Sequence, residues 1–546
     1  MPLYSSQDLI HGIVQECHSQ FKRLPRHGKP LKRSNGQSEW TILAGIVLAT
    51  PVPTNGSTRH DDGGDTEGVG ITDQREAVSW EIECISLATG SKCLPKSKQS
   101  PRGDLVNDCH AEILARRGFN RWCLMEMKAS IDNPGDTRNK FKYIGDQGLA
   151  SEGKWPLFQL VHPESQFHLY VSQAPCGDAT TASLALAQTE ESRKAFLNGR
   201  DTNSQMHTRT QEEHVAQTLD QQHLQGAGSK HQRETTENED ACPLSKQPRT
   251  EPPSPPGSHR VHSGTSSTSA ACDHVLGFRR GRVDYDSVGV LRTKPGRVDS
   301  EPTASMSCSD KIARWNILGL CSALVAPFLQ PIYLHSIITR ELFDVAALKR
   351  SLYERIDQCH CFPALDESSK VNRRFYQPHP IEIHESSLPF EFSKEVVTIQ
   401  AGEDGTTSPP VASSSSILWI ASEPSKPEVL ANGCKAGASA KQPIQPKAQS
   451  QVCKANMFRT SVNLWKSLPE STLSKLDQYD TLRRVLSLPE SESDTGMDGA
   501  TYGKWKRLAV DYNAAKESLL NGVFRNWIKG DDALERFNIH GDHPSK

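Results

Sequence analysis

Hydrophobic positions along this chain fall into short blocks of two kinds. Gln7 to Phe21 carries Leu9, Ile10, Ile13 and Val14 at helical spacing. Trp40 to Ala49 is an apolar run of the length and β-branched content of a buried strand, and Val78 to Leu87 alternates as a half-buried strand should, closed by the turn pair Thr89-Gly90. Gln166 to Ser172 predicts another strand, and Pro331 to Ile338 a core strand. Phe343 to Ile356 predicts a helix on Leu342, Val345, Leu348, Leu352 and Ile356, and Lys504 to Ile528 another. Strands interleaved with helices predict a layered α/β domain.

Polar tracts divide these blocks. Residues 51–75 are rich in Gly, Asp and Thr and predict a surface insert; 403–416 predicts a polar loop extension, and Glu490 to Gly499 a further one. The stretch 190–272, which includes Glu251-Pro-Pro-Ser-Pro-Pro-Gly, holds too little apolar surface to offset the entropy of ordering it and predicts a disordered insert. At 546 residues the length alone would allow several domains, but a hydrophobic fraction of 35% with the polar excess concentrated in tracts predicts one large domain, 1–546, with inserts.

A net charge of −2 gives no global attraction to nucleic acid, so any such surface must be a local patch. The basic run from Lys22 to Arg33 is the obvious one; a solvated arm, RNA contact and a nuclear signal all fit it. The 14 cysteines lack the tight spacing of a secreted disulfide framework, and no apolar signal stretch follows Met1. No window approaches the ~18 apolar residues of a membrane span. The expectation is a soluble protein of nucleus or cytoplasm with reduced thiols.

Candidate chemistry begins at Asp108-Cys-His-Ala-Glu-Ile-Leu. A zinc deaminase needs an imidazole and two thiolates on the metal, with a Glu outside the coordination shell to move protons. His110 and Glu112 suit the imidazole and the Glu. With 20 His in the chain about one His-x-Glu arises by chance, and a second stands at His162-Pro-Glu164, where Pro163 blocks a helix interior. A helix-capping role for His110 is the bland alternative.

The usual signature continues with Pro-Cys-x-x-Cys. Here Pro175-Cys176 is followed by Gly-Asp-Ala-Thr, so one thiolate is missing locally. Cys176 lies after a strand and before a helix beginning near Thr180, a setting that favours thiolate. Cys308, with the helix-start residues Ser309 and Asp310 beside it, has the same setting. Cys109 would point away from a metal on its neighbour, and Cys321 lies in an apolar helix-like run. Cys308 is therefore the best remaining third ligand.

His-Ala-Glu at 110–112, Pro-Cys-Gly-Asp at 175–178 and Met-Ser-Cys-Ser-Asp-Lys-Ile-Ala-Arg-Trp-Asn at 306–316 resemble the adenosine-deaminase domain shared by double-stranded-RNA editing enzymes and tRNA-specific adenosine deaminases. The resemblance extends over most of the ordered blocks. It implies an α/β/α cytidine-deaminase-like core with a mixed central sheet, elaborated C-terminally around a buried polyanion. It implies Zn2+ on His110, Cys176 and Cys308, with Glu112 as the proton shuttle for hydrolytic attack at C6 of adenine.

It also implies inositol hexakisphosphate in a cage of Asn107, Arg116, Arg117, Lys311, Arg314, Trp315, Lys454, Tyr502, Lys506, Tyr512, Lys516 and Trp527, relayed to the metal through Asp108 and Lys294. Tyr502, Lys506, Tyr512 and Lys516 span an arc of about 120° on one continuous helix, and a solvated face is the alternative there. Ser305 stands where the editing enzymes have Thr, which keeps the hydroxyl. Lys529 and Gly530 follow Trp527 where an acidic contact is expected.

The editing enzymes carry double-stranded-RNA-binding modules ahead of this domain. Only 109 residues precede His110, and their strand pattern belongs with the catalytic blocks. Phe21-Lys-Arg-Leu-Pro-Arg-His-Gly-Lys-Pro and Glu39-Trp-Thr-Ile-Leu-Ala-Gly-Ile-Val resemble the start of the tRNA-acting branch, which converts adenosine 37, beside the anticodon of alanine tRNA, to inosine. The expected partner is tRNA, through that anticodon loop, with neither membrane nor DNA. A non-catalytic RNA-binding relic of the fold, an editor of other structured RNA and a free-nucleoside deaminase are the other readings.

Overall fold

Buried strands flanked by amphipathic helices dictate a sheet with both faces covered. The computed structural model describes residues 6–52, 79–145, 156–186, 278–281, 285, 287–294, 300–357, 375–405, 408–439, 441, 443–475 and 501–542, all within the unit formed by Met1–Gln188 and His274–Lys546. The expected inserts at 190–272 and 490–499 lie outside these residues, as does the expected insert at 51–75 except for its first two residues. Pro51 and Val52 continue a strand, opposite Trp80 and Ser79.

The central sheet is built from β1 (Leu43–Val52), β2 (Ser79–Thr89), β3 (Gln166–Gln173), β4 (Leu334–Glu341), β5 (Glu382–Glu385), β6 (Ser416–Ile420), β7 (Glu428–Ala431) and β8 (Cys434–Lys435). Their order is β5-β4-β3-β1-β2-β6-β7-β8, with β5, β4 and β3 mutually parallel and the remaining pairings antiparallel. Period-2 alternation sends successive side chains to opposite cores. Ala44, Ile46, Leu169, Val171 and Ile337 pack with helix α2 (Ala111–Asp132), while Leu43, Val47, Tyr170 and Ile338 pack with helix α1 (Ser6–Arg23). This is the expected mixed α/β/α arrangement.

Four sequence expectations shift. The strand expected from Pro331 starts at Leu334. The helix expected from Phe343 starts at Val345 and passes through a π-helical turn at Arg350–Glu354. Cys321 is not helical: α4 (Cys308–Leu318) stops at Gly319, whose φ of +71° and close approach to the Ile332 carbonyl suit only glycine, and turns follow.

The fourth is the C-terminal helix, which is two helices, α6 (Tyr502–Lys506) and α7 (Val510–Asn521). Trp505 and Leu508 are drawn into the main core, whereas Ala509, Tyr512, Ala515 and Leu519 pack in a separate one against Leu291, Ala313 and Ile317. One straight rod cannot serve both. The stretch 403–416 runs from the end of helix Lys394–Glu403 to β6 and includes Val411–Ala412, which pairs in parallel with Glu39–Trp40. No helix among the described residues is long and apolar enough to cross a membrane.

Candidate active site and buried cationic cage

Strand β3 ends at Gln173, beside Glu341 at the end of β4, and the chain turns there into α3 (Asp178–Leu186). Functional groups of open α/β sheets gather at such carboxyl ends. Cys176 lies in this turn. Gly177 adopts φ +113°, and its backbone lies so close to Ser307 and Ser309 that a Cβ would fall 2.2 Å and 2.4 Å from their hydroxyls. The Ser309 amide donates to the Cys176 carbonyl at 3.0 Å, and the Cys308 amide points at the Cys176 sulfur at 3.4 Å. Cys308 opens α4, whose N-cap Ser307 accepts from the Asp310 amide. His110 is the N-cap of α2. Three segments distant in sequence thus meet through the starts of three helices, whose partial positive charge favours thiolates.

The donor atoms of His110, Cys176 and Cys308 all lie within 4.8 Å of one another, and this is the one such His/Cys/Asp/Glu group among the described residues. His110 Nδ1 is 3.8 Å from the Cys176 sulfur and 3.5 Å from the Cys308 sulfur. A tetrahedral zinc with ordinary bond lengths requires about 3.6 Å between nitrogen and sulfur, so the donor set fits zinc. Donation from the Cys308 thiol, with Lys294 and His110 nearby, holds Cys176 well below the usual thiol range, while burial and the Cys176 sulfur push Cys308 well above it.

Glu112, on the first turn of α2, is 2% exposed, and its Oε2 is buried with no hydrogen-bond partner among the described residues. An orphaned buried carboxylate oxygen is costly; beside three metal donors it is an acceptor placed for a substrate or water proton. The other His-x-Glu, His162 and Glu164, is exposed and closes on itself at 3.3 Å. Cys109 is buried with its thiol toward the Val106 carbonyl, and neither it nor Cys321 belongs to the donor group.

Behind His110, Asp108 accepts from Lys294 at 2.8 Å, Lys311 at 2.5 Å, the Ser305 hydroxyl at 2.9 Å and the His110 amide at 3.1 Å. Burial alone would raise its pKa, but Lys294 and Lys311 outweigh that and hold it well below the carboxylate range. Lys294, equally buried, is held well above its usual value against burial by Asp108 and then the two sulfurs. A chain of charged groups therefore runs from Lys311 through Asp108 and Lys294 towards the Cys176 and Cys308 sulfurs.

Most of the expected cage residues come together beyond this chain. Arg116 lies over Trp315 at 5.0 Å and donates to the Cys321 carbonyl, and Arg314 lies over Trp527 at 4.4 Å. Arg117 grips the Val452 carbonyl. Lys454 and Lys506 flank the Tyr502 ring at 5.8 Å and 5.3 Å. Burial pushes Lys454 down to about 8 and Arg116 to about 10, and also lowers Arg314 and Lys516. Burial would raise the Tyr512 phenol, but Arg314, Arg116, Lys516 and Lys506 overcome it.

A cluster of buried cations of this kind can hold a polyanion, and Arg116 Nε has no hydrogen-bond partner among the described residues. Tyr502 and Lys506 reach the cage from α6, and Tyr512 and Lys516 from α7, not from one helical face. The carboxylate among these cations is Glu535, 2.5 Å from Lys506, in the turn Asp532–Glu535 and not directly after Trp527. The sequence carried no signal for it, since turn acids are commonplace. Asn107 meets its neighbours here through its backbone carbonyl, which accepts from Leu94.

Residues 86–531 match the adenosine-deaminase (editase) domain. The chain belongs to the adenosine-deaminase (editase) domain family. Within this family it is 27% identical to the tRNA-specific adenosine deaminase 1 of Mus musculus, over 96% of this chain and 99% of that one. The protein of the same name from Schizosaccharomyces pombe is 25% identical over 93% and 92% of the two chains. The double-stranded RNA-specific adenosine deaminase of Rattus norvegicus is also 25% identical, over 83% of this chain but only 29% of its own length. The editase family and the His/Cys/Cys group together describe an adenosine-deaminase domain with residues that could hold a metal.

Proposed function

We propose that this chain hydrolyses adenosine to inosine in tRNA, at adenosine 37 beside the anticodon of alanine tRNA, with zinc on His110, Cys176 and Cys308. The observation that carries the reading is the unpartnered Glu112 carboxylate beside the three converging donors. Zinc, when bound there, supplies an activated water at neutral pH. Glu112 takes the two protons of the attacking water in turn at Oε2, passing the first to adenine N1 and the second to the departing amine, which leaves as ammonia. Asp108 fixes the His110 backbone through its amide while Lys294 offsets the thiolate charge.

A tRNA substrate is supported by extent. Relatives named for tRNA align with this chain over nearly their whole length, whereas the relative named for double-stranded RNA aligns over under a third of its own. An anticodon loop presents partly unstacked bases, so extrusion costs less than from a duplex. The cage would hold inositol hexakisphosphate, whose six phosphates match its crowd of cations, and the protein would act in the nucleus or cytoplasm. Sequencing tRNA from cells lacking the protein is the test: inosine beside the alanine anticodon should disappear, and its persistence would refute the assignment.

A further inference from the structure

The run Lys22 to Arg33 takes no part in the site described above, yet it is packed against the fold. Leu24 is buried, the Lys29 amide closes a turn on the Arg26 carbonyl at 3.1 Å, and Lys29 Nζ lies 4.7 Å over the Phe21 ring. Gly28, at φ +85°, is wedged so tightly that a Cβ would meet Val429 at 2.6 Å. Lys32 and Ser38 then bridge, and Glu39 bonds back to Leu31.

Three of the run's cations have acids: Arg23 with Glu16 at 3.7 Å, Lys32 with Asp404 at 3.1 Å and Arg33 with Glu39 at 2.8 Å. Lys22 and Arg26 are exposed and have no acidic partner among the described residues.

Its position connects it to the catalytic end of the sheet. Phe21 packs on Phe390 and Phe392, and Phe392 accepts from the Thr41 amide. The next residue, Ile42, accepts from Gly90, whose own carbonyl receives the amide of Ala111, directly after His110. On the other side a Cβ placed on Gly28 would meet Ile417 at 3.2 Å, and the neighbouring Ser416 donates to the Cys109 carbonyl at 3.4 Å. These links tie the run to the segments that carry His110.

We propose that the last turn of α1 and the loop after it form a phosphate-binding arm for the RNA substrate, with Lys22 and Arg26 as its free contacts. The inference rests on the tRNA reading. A pre-ordered loop loses little entropy on binding, and each phosphate neutralised releases counterions, which gives the contact a salt signature.

The test uses the full-length protein and a transcribed alanine tRNA. Binding is measured across a KCl series, and inosine formation at saturating and sub-saturating tRNA, for the wild type, Lys22→Ala/Arg26→Ala and Arg138→Ala. Arg138 is an exposed cation near the other end of α2 from His110. The double variant should lower the slope of log K against log salt by about 1.4 to 1.8 and raise KM several-fold, with kcat and the thermal midpoint unchanged; Arg138→Ala should match the wild type. If the wild type edits the tRNA but the double variant keeps its slope and KM, the arm is refuted and the run is a solvated surface or an import signal. If the wild type neither binds nor edits tRNA, the tRNA reading itself fails.

Discussion

Gly177→Ala probes the convergence of the metal donors without touching a donor. The new Cβ would lie 2.2 Å from Ser307 Oγ, 2.4 Å from Ser309 Oγ and 2.5 Å from Ser307 Cβ, and alanine would have to hold φ +113°. Backbone strain of this kind costs about 1 to 3 kcal/mol, and the overlap about the same again, roughly 2 to 6 kcal/mol together. The relief available is to slide the 176–178 turn away from the start of α4, which lengthens the 3.0 Å Ser309-to-Cys176 bond and changes the 3.8 Å spacing between the Cys176 sulfur and His110 Nδ1. If half of the strain appears at the metal, zinc affinity falls roughly 5- to 150-fold, since 1.4 kcal/mol is tenfold. Competition with a chromophoric zinc chelator reads this directly. Gly135→Ala, where a Cβ meets nothing within 4 Å, is the control. Zinc affinity for Gly177→Ala within twofold of wild type would refute the idea that this glycine sets the spacing.

Three further outcomes follow. Glu112→Ala should keep stoichiometric zinc, by metal analysis, and lose at least about 100-fold in inosine formation, the usual contribution of a positioned acid or base; substantial residual turnover would remove Glu112 from the role. Cys308→Ser should lose zinc and activity together, because Cys176 and His110 alone leave the tetrahedron open, and metal retained at wild-type level would count against the donor set. The third concerns Lys454, lowered to about 8 by burial. A lysine whose folded pKa lies below its unfolded value leaves the unfolded chain with more protons, so the polyanion-free protein should gain stability as pH rises from about 8 to about 10.4. A bound polyanion favours the charged amine and should flatten or reverse that trend, which denaturant unfolding with and without added inositol hexakisphosphate would show.

How far the sequence carried depended on whether the signal was local. The central strands and α1 were legible because apolar spacing is a short-range pattern, and the boundaries moved by only a few residues. His110, Glu112 and Cys176 were legible because each sits in a recognisable strand-to-helix junction. Cys308, 132 residues beyond Cys176 and outside the usual Cys-x-x-Cys spacing, needed elimination and resemblance. The break between α6 and α7 was not legible: helical periodicity runs through Leu508 and Ala509, and only the presence of two separate cores forces the chain to turn there. Glu535 was missed because the partner that gives it meaning, Lys506, is chosen by the fold.

The central claim is that the three donors and Glu112 form a hydrolytic centre for adenosine in tRNA. Its most direct test incubates purified, zinc-loaded protein with an alanine tRNA transcript and reads the nucleotide beside the anticodon by sequencing, before and after chelation. Inosine at that position, abolished by the chelator and restored by zinc, is the predicted result; unmodified adenosine with the zinc-loaded protein, or editing indifferent to metal removal, would contradict it.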